Sequence, residues 1–245
     1  MFDIARQRGT VREQLRIADL MSLTPKGKRV LEIGARDCYL SRKLTALYPE
    51  VVALDLTKPE IDAPGITAVT GLRFANNAFD TVFCTEVLEH VPPEKLQQAC
   101  NEIVRVASRY AVIGVPYRQD LRANRTRCLR CGAVNPTTGH LNRFDRQRLT
   151  ALFPGMTPRE IRLTGRGQAV TNPLSVAIYR LCGYPYGSYE QEEGCIRCGE
   201  KLVRPKIDRI QWALCFVARA LNQIQYKLYG RNRPIWIHIL FEKTV

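Results

Sequence analysis

Four cysteines occur in two nearly identical segments of this chain, CLRCG at 128–132 and CIRCG at 195–199. Two thiolate pairs with this spacing supply the four ligands of a structural zinc site, and the glycine after each pair permits the tight turn that such a site needs. We predict one zinc ion shared by the two pairs; separate sites that use His140 or carboxylates, and buried thiols without metal, are the alternatives. A redox role is disfavoured because neither pair follows a strand and opens a helix. The predicted ligands are Cys128, Cys131, Cys195 and Cys198.

A second group of candidate catalytic residues lies in the segment TEVLEHV at 85–91. Glu86 and Glu89 are three positions apart, so a helical turn places both carboxylates on one side, next to His90. The segment GHLNRF offers a further imidazole, that of His140. Two carboxylates with one or two imidazoles are suitable ligands for Mg²⁺, Mn²⁺ or Fe²⁺, and without a metal either histidine can serve as a general base.

The elements that must position these residues alternate between strand and helix from residue 28 to 117. Short apolar runs, typical of buried parallel strands, are separated by helical patterns at 37–48 and 93–107, which indicates βαβ units and an α/β fold. A further helix and strand follow, and the final segment PIWIHILFEK alternates like a strand that closes the sheet edge. The apolar runs are RVLEIGA, VVALDL, ITAVTG, FDTVFCTEV and YAVIGVPY.

Two irregular stretches, 118–142 and 172–205, interrupt this alternation, and each contains one cysteine pair. We predict that they are insertions, joined by the zinc into a lid on the substrate side of the sheet. The other predicted parts are an N-terminal helix at 1–27, a core at 28–117, and the remainder of the same fold at 143–171 and 206–245.

The segment after the second insertion carries an apolar stripe. Its residues fall at alternating spacings of three and four, which predicts one face of a helix. We expect this stripe, widened by Trp212 and Phe216, to pack on the sheet; anchoring at a membrane surface is the alternative. The stripe consists of Ile207, Ile210, Leu214, Val217, Leu221, Ile224 and Leu228.

The segment VLEIGARDCYLSRKL at 30–44 predicts an apolar strand, a glycine turn and a helix. At the carboxyl end of a first parallel strand, Gly34 lets the backbone approach a ligand closely. Further along, Asp55 ends the second strand, where a carboxylate can accept hydrogen bonds from both hydroxyls of a ribose. The residues that follow Gly34 do not continue a G-x-G-x-x-G motif, so a pyrophosphate cradle is poorly supported.

Together with FDTVFCTEVLEHV at 79–91, these segments resemble the class I S-adenosylmethionine-dependent methyltransferases, especially those with an E-x-G-x-G turn and an S-E-V-L-E-H-V segment after the fourth strand. The resemblance covers roughly residues 28–117. It implies a Rossmann-like, mostly parallel, doubly wound sheet with an antiparallel last strand. It also implies S-adenosylmethionine as cofactor, with Glu32 and Gly34 at its methionine end, Asp55 at its ribose and residues 72–74 at its adenine. The implied cofactor-binding residues are Glu32, Gly34, Ala35, Asp55, Leu72, Arg73, Phe74 and Glu86.

Two positions depart from the family pattern. Arg36 stands where many relatives have a second glycine, and Gly71 stands where many have an aspartate, so adenine would be bound by backbone groups and apolar packing. Some members with E-x-x-E-H, notably small-RNA 2′-O-methyltransferases and ubiquinone-pathway O-methyltransferases, use that segment to hold a divalent cation that activates the accepting hydroxyl. By this resemblance the catalytic residues, acting with Mg²⁺ or Mn²⁺ or as a base and its partners, are Glu86, Glu89, His90 and His140.

The overall composition limits the choice of partners. Lys and Arg total 37 against 23 Asp and Glu, and the formal net charge of +14 favours an anionic partner such as a phosphorylated substrate, a nucleic acid or a membrane surface. The first residues carry frequent charges and no signal-peptide-like apolar run, so we expect a cytoplasmic protein. In that compartment the cysteines outside the two pairs are expected to be small core residues. They are Cys38, Cys84, Cys100, Cys182 and Cys215.

The leading functional hypothesis is a methyltransferase that acts on an oxygen of a small-molecule, sugar or lipid-linked acceptor. Oxygen is favoured over nitrogen because TEVLEH occupies the place of an N-P-P-[YF]-type motif. RNA is the second acceptor class, and a non-catalytic, zinc-containing RNA-binding protein on a methyltransferase scaffold is the alternative. Arginines around the first cysteine pair support RNA, but that segment lacks the interleaved aromatic residues of a stacking platform.

Overall fold

The computed structural model describes residues 9–57, 63–71, 73–136, 138–187, 189 and 194–244. Their contacts define two compact units. The sheet unit consists of Gly9–Tyr117, Phe144–Gly165 and Trp236–Val245, and the inserted unit contains Arg118–Arg143 and Arg166–Ile235. These boundaries differ from the predicted ones, because residues 166–171 and 206–235 group with the two cysteine pairs and not with the sheet.

The strands of the described residues are β1 Arg29–Ile33, β2 Glu50–Leu54, β3 Ile66–Val69, β4 Phe79–Thr85, β5 Ala107–Pro116, β6 Thr126–Arg127, β7 Val134–Asn135, β8 Met156–Thr164 and β9 Trp236–Lys243. Seven of them form one sheet in the order β3-β2-β1-β4-β5-β9-β8. Strands β1 to β5 are parallel, while β9 is antiparallel to β5 and β8. The predicted α/β, Rossmann-like sheet with an antiparallel last strand is confirmed. The last strand does not close the edge, however: β9 lies between β5 and β8, and β8 forms that edge of the sheet.

Helices cover both faces of this sheet. In α3 (Pro93–Val106), buried residues recur at helical spacing from Leu96 to Val106 and join a core cluster that includes Val82 of β4. In α1 (Val11–Leu23) and α2 (Tyr39–Leu44), buried leucines join a second cluster that includes Phe83. Since Val82 and Phe83 are consecutive in one strand, their side chains point to opposite faces, and both faces are therefore buried.

The cysteines outside the two pairs are core residues, as predicted. All five are at most 3% exposed, and burial raises the pKa of the Cys100 thiol to about 12. The helix predicted at 37–48 is shorter than expected: it begins at Tyr39, directly after Cys38, which has a left-handed backbone with φ of +55°.

A buried histidine joins α1 to β9. His238 is fully buried, and its Nδ1 lies 2.5 Å from Oδ2 of Asp19. Burial lowers the pKa of His238 to about 4 and outweighs the opposing attraction of Asp19. The imidazole is therefore neutral near pH 7 and donates its Nδ1 proton to Asp19. This hydrogen bond fixes α1, which carries Arg16, relative to the end of the sheet where β9 begins.

The inserted unit contains a short hairpin and two longer helices. Strands β6 and β7 pair antiparallel. The helices α5 (Pro173–Leu181) and α6 (Arg209–Gln225) each begin with a capping box, and α6 continues into a π-helical turn at Tyr226–Gly230. A short helix of the sheet unit, α4 (Arg146–Ala151), precedes them in the chain. Helices α5 and α6 pack together around Ile178, Cys182, Cys215 and Ala218.

The apolar stripe predicted for this segment is largely exposed, so the expectation that it packs on the sheet is wrong. Helix α6 uses Cys215 and Ala218, on a different side, to pack against α5. Trp212 and Phe216 stack at 5.9 Å and are 57% and 62% exposed. Five residues of the stripe are between 41% and 74% exposed, namely Ile210, Leu214, Val217, Ile224 and Leu228. Among the described helices, none combines the length and apolar character that crossing a bilayer would need.

Candidate active site and cysteine cluster

The carboxyl ends of the parallel strands meet at one edge of the sheet, and Gly34 lies there, directly after β1. Its φ is +81°, and a Cβ at this position would lie 2.4 Å from Cγ2 of Val87, in the turn after β4. The N–H groups of Gly34 and Ala35 both donate to the carbonyl of Leu54, at 2.8 and 3.1 Å. Glycine is therefore required here by the backbone conformation and by the close approach of the neighbouring turn.

We expect Gly34→Ala to lower the free energy of unfolding by about 2 to 5 kcal/mol. Displacing Val87 costs about 1 to 3 kcal/mol, and a left-handed backbone with a side chain costs about 1 to 2 kcal/mol. Gly155→Ala is the matched control, because Gly155 has the same φ of +81° but faces open space. Urea unfolding of both variants measures the difference, and equal losses would contradict the role of Val87.

Asp55, directly after β2, holds the turn that follows β1. Its Oδ2 accepts a hydrogen bond from the backbone N–H of Arg36, and its Oδ1 accepts one from Leu56, both at 2.7 Å. A carboxylate has about four lone-pair sites, so about two remain for the hydroxyls of a ribose. Arg36, which stands in place of the family's second glycine, has a left-handed φ of +46°, a conformation that glycine adopts readily.

Glu32 is a charged residue inside the apolar strand β1 and is 3% exposed. Its Oε2 accepts a hydrogen bond from the hydroxyl of Ser41 in α2. This hydrogen bond partly compensates the buried charge, and a buried carboxylate at this edge is a suitable neighbour for a cationic group of a ligand.

One of the residues predicted to contact adenine, Phe74, lies away from Asp55. Leu72 lies outside the described residues, and Arg73 is exposed. The ring of Phe74 packs edge-to-face on Phe79, with centroids 4.9 Å apart. Phe79 begins β4, so this contact lies at the amino end of the parallel strands, whereas Asp55 lies at their carboxyl end. The structure thus does not bring Phe74 together with the predicted ribose site.

Glu86 and Glu89 follow β4 at the carboxyl edge; Glu89 is buried and Glu86 is partly buried. Glu86 has a left-handed φ of +57°, and its N–H donates to the carbonyl of Gly114 in β5 at 2.9 Å. Glu89 is fully buried, and neither of its carboxyl oxygens has a hydrogen-bond partner within the described part of the chain. Burial raises the pKa of both groups, and the charge of Glu86 raises the pKa of Glu89 further. Such groups can take up a proton near neutral pH or help to hold a divalent cation.

Two residues near Glu86 were missed by sequence reasoning. Arg16 of α1 and Trp236 of β9 both lower the pKa of Glu86, although burial has the larger, opposite effect. The Arg16 guanidinium also lies 5.8 Å from the centroid of the Trp236 ring. No spacing in the sequence could have indicated this group, because its members come from the first helix, the turn after the fourth strand and the last strand.

The two candidate histidines belong to different units. His90 is exposed, and its backbone N–H closes the turn after β4 by donating to Val87 at 2.9 Å. His140 belongs to the inserted unit, where its Nδ1 lies 2.6 Å from Oε1 of Gln119. The convergence of His140 with Glu86 and Glu89 stays a prediction.

Comparison with known proteins finds a family match for the segment that forms the carboxyl edge of the parallel strands. Residues 31–113, which include Gly34, Asp55 and the two glutamates, match a family model described as a methyltransferase domain. This segment is similar to the methyltransferase domain family.

Part of this chain is similar in sequence to part of a named enzyme. The ubiquinone biosynthesis O-methyltransferase of Shewanella halifaxensis is 31% identical over a region that covers 32% of this chain and 40% of that protein. The chain thus spans two fifths of the length of this relative.

Solved structures share the fold over nearly the whole chain. An S-adenosylmethionine-dependent methyltransferase from Mesorhizobium loti has a TM-score of 0.52 at 12% identity, covering 92% of this chain and 96% of that one. The 1,6-didemethyltoxoflavin-N1-methyltransferase of Burkholderia thailandensis, solved with bound 1,6-didemethyltoxoflavin and S-adenosylhomocysteine, has a TM-score of 0.54 at 13% identity, covering 100% and 84%. At these identities the likeness establishes the class I methyltransferase fold.

Outside the methyltransferase domain, the inserted unit gathers the four paired cysteines. The Sγ atoms of Cys128 and Cys198 are 3.7 Å apart, and those of Cys131 and Cys195 are 3.6 Å apart. All four sulfurs lie within 4.8 Å of one another. These separations exceed the disulfide length of about 2.0 Å but match the edges of a tetrahedron with zinc–sulfur bonds of about 2.3 Å, which are about 3.8 Å.

The two knuckles have the same local geometry. Gly132 donates its N–H to the carbonyl of Cys128 at 3.0 Å, and Gly199 donates to Cys195 at 2.8 Å; both glycines have φ of +71°. The backbone N–H groups of Arg197 and Cys198 lower the pKa of Cys195, whereas burial and the neighbouring thiols raise the pKa of Cys198. Buried Asn135 links the halves, because its Oδ1 accepts from the N–H of Ile196 at 2.8 Å. The arrangement suits four thiolates around one metal ion.

Proposed function

We propose that this chain is an S-adenosylmethionine-dependent methyltransferase. The observation that carries the proposal is Asp55, which follows β2 within the matched segment, holds the turn beside Gly34 and keeps acceptor sites for a ribose. The acceptor sites of Asp55 suit ribose hydroxyls, and the negative charge of buried Glu32 suits a cationic amino-acid end. The residues present therefore fit this cofactor.

The cofactor supplies an electrophilic methyl group on a sulfonium. In the proposed reaction a carbon–oxygen bond forms as the carbon–sulfur bond breaks, and the acceptor hydroxyl loses its proton. Glu89 takes this proton, either directly or through His90, because its raised pKa makes it a stronger base than an exposed glutamate. Asp55 and the turn at Gly34 orient the cofactor, so the chain contributes mainly by positioning and proton transfer.

We propose an oxygen of a small molecule as the methyl acceptor. The Shewanella relative named as an O-methyltransferase supports this choice, and the carboxyl group of buried Glu89 suits deprotonation of a hydroxyl. A divalent cation such as Mg²⁺ or Mn²⁺, bound by Glu86, Glu89, His90 and His140, is the alternative means of activating that hydroxyl. A sugar or lipid-linked acceptor belongs to the same proposal, and RNA is the second candidate class.

Calorimetry with S-adenosylhomocysteine tests the cofactor assignment. Asp55→Ala is expected to weaken binding by about 1.5 to 3 kcal/mol, because hydrogen bonds to a charged group are lost. Glu50→Ala is the control: it removes an exposed carboxylate from the other end of the same strand, where it pairs with Arg29 at 2.6 Å. If wild-type protein does not bind, or if both variants bind equally well, the assignment fails.

We propose zinc as the structural metal of the inserted unit, held by Cys128, Cys131, Cys195 and Cys198. The support is the close grouping of four sulfurs on two matching turns. A closed set of four thiolates leaves no position for substrate, so the metal would stabilise this unit without taking part in methyl transfer.

We also propose that α6 lies against an anionic membrane surface. Its exposed side carries Trp212, Phe216 and Ile224, and residues 209–228 include Arg209, Arg219 and Lys227 but no aspartate or glutamate. Aromatic and aliphatic residues beside basic ones are typical of helices that lie in the lipid interface. A lipid-linked acceptor would then be reached at its own surface.

Sedimentation with vesicles tests this surface. Wild-type protein is expected to bind phosphatidylcholine vesicles that contain phosphatidylserine and to release from them at high salt. Phe216→Glu should weaken binding about tenfold or more, because it places a charge on the apolar side. Leu163→Glu makes the same change at a 49% exposed residue of β8 and should have little effect. Equal binding by both variants, or self-association of the protein without vesicle binding, would contradict the proposal.

A further inference from the structure

The inserted unit contains a cavity of about 390 Å³ that the methyltransferase proposal does not use. Its volume is within the range of small-molecule sites. It is lined by the chain around the first cysteine pair, by residues 169–187 and by α6 with its π-helical turn. The walls are in direct contact, since a Cβ on buried Gly187 would lie 2.1 Å from the carbonyl oxygen of Arg125.

The cavity has a strongly basic lining. Arg122, Arg125 and Arg219 contribute guanidinium groups, and no carboxylate is among its lining residues. Arg122 is held in a fixed orientation because Asp120 accepts from its Nε and Nη2 at 2.9 and 3.0 Å. Asp120 is itself fixed by the backbone N–H and hydroxyl of Thr171, at 2.8 and 2.7 Å. Because Asp120 occupies the Nε–Nη2 side of Arg122, the guanidinium groups of Arg125 and Arg219 are the ones that can bind a phosphate bidentately.

Four tyrosines form the aromatic part of the cavity lining. Tyr179 and Tyr186 meet edge-to-face with centroids 6.2 Å apart. Tyr184 is 6% exposed and donates its backbone N–H to Tyr179 at 2.7 Å, so it is fixed beside them. Tyr226, from the π-helical turn, completes the set. Held aromatic rings offer flat faces on which a planar base can stack, at about 1 to 3 kcal/mol per base.

Amide groups are also available at the cavity wall. Asn222 accepts at its Oδ1 from the N–H of Asn172 at 3.1 Å and from the hydroxyl of Ser175 at 2.5 Å. These bonds fix the side chain and leave its nitrogen, a double donor, on the other side. In a nucleotide site, an amide can hydrogen-bond the edge of the base, aromatic rings can stack on its plane, and guanidinium groups can bind the phosphate.

We propose that this cavity binds a nucleoside phosphate, with the base against the tyrosines and the phosphate on the arginines. The ligand is either a free nucleotide or a nucleotide within a single strand of RNA; both present the same chemistry. The proposal is independent of methyl transfer, because every residue that carries it belongs to the inserted unit.

Calorimetry on the full chain tests the proposal with UMP, CMP and GMP, which avoid the adenosine moiety of the proposed cofactor. Inorganic phosphate, ribose 5-phosphate and short uridine and guanosine oligoribonucleotides complete the series. Binding of a mononucleotide with a Kd below about 1 mM, and at least tenfold tighter than ribose 5-phosphate, is expected if the ligand is free. Binding of an oligonucleotide alone would assign the site to RNA. If no base-containing probe binds, or if inorganic phosphate binds equally well, the proposal is overturned.

Variants then place the bound probe in the cavity. Arg219→Gln and Tyr186→Leu change an exposed cation and a 45% exposed ring, and each should weaken binding at least tenfold. Arg180→Gln is the matched control, because Arg180 is exposed on α5 but does not line the cavity. Thermal unfolding confirms that each variant folds. Equal affinity of the Arg219 and Arg180 variants, both folded, would place the nucleotide elsewhere and overturn the proposal.

Discussion

Replacing Glu89 by glutamine is expected to reduce methyl transfer by a factor of about 10² to 10⁴, the usual contribution of a general base. The substitution keeps the shape of the side chain but removes the proton-accepting group from a fully buried position that has no hydrogen-bond partner within the described residues. The loss should appear in kcat, because the cofactor site at Asp55 is unchanged. Formation of S-adenosylhomocysteine with a panel of phenolic and sugar hydroxyl acceptors measures it.

Glu94→Gln is the matched control for this change, since Glu94 is exposed in the first turn of α3. The same assay separates the two ways of activating the hydroxyl. Activity that a chelator removes and Mg²⁺ or Mn²⁺ restores would assign Glu89 to a metal ion, whereas activity indifferent to both would assign it to proton transfer. Full turnover of Glu89→Gln would exclude both roles.

Removal of one cysteine ligand is expected to abolish zinc binding. Cys131→Ser should yield protein without metal, because the remaining three thiolates leave the tetrahedral set incomplete. Residues Arg118–Arg143 and Arg166–Ile235 should then become sensitive to protease, while the sheet unit keeps its core. Native mass spectrometry for the metal and limited proteolysis for the chain measure the two effects.

The control for the zinc prediction is Cys182→Ser. Cys182 is a buried cysteine of the same unit, outside the cluster, and its thiol lies 3.8 Å from the carbonyl of Gln211, where a hydroxyl can also donate. This variant should retain one zinc ion per chain. Wild-type protein that is purified in reducing buffer without chelators and holds no zinc would contradict the assignment.

The parallel sheet and its functional edge were predictable because their signals are local. Each strand is a short apolar run, and Gly34, Asp55 and Glu86 each follow directly after one of them. Strand direction alone then brings them to one edge. Phe74 lay beyond this reasoning, since its loop connects the carboxyl end of β3 to the amino end of β4, and the sequence does not show where along that path the ring turns inward.

The spacing of apolar residues in the sequence could not predict which helix faces pack against other elements. The stripe on α6 was correctly assigned to one side of a helix, but periodicity cannot tell whether that side is covered, and the burial of Cys215 and Ala218 shows that another side is used. The tyrosine–arginine cavity is a similar case. The segment around Arg122 lacks aromatic residues in sequence, and the fold supplies them from positions around 180 and from Tyr226.

The position of β9 in the sheet has a consequence for the order in which the chain can fold during synthesis. Strands β1 to β5 pair with neighbours that leave the ribosome before or shortly after them. Within the described part of the chain, strand β8 pairs with β9 alone, and residues 165–235 must be made between the two. Until Trp236–Lys243 emerges, β5 and β8 both present open edges, and His238 is not yet available to Asp19. Nascent chains that stop before residue 236 therefore expose two unpaired strand edges, and we expect this stage of synthesis to be the most prone to aggregation.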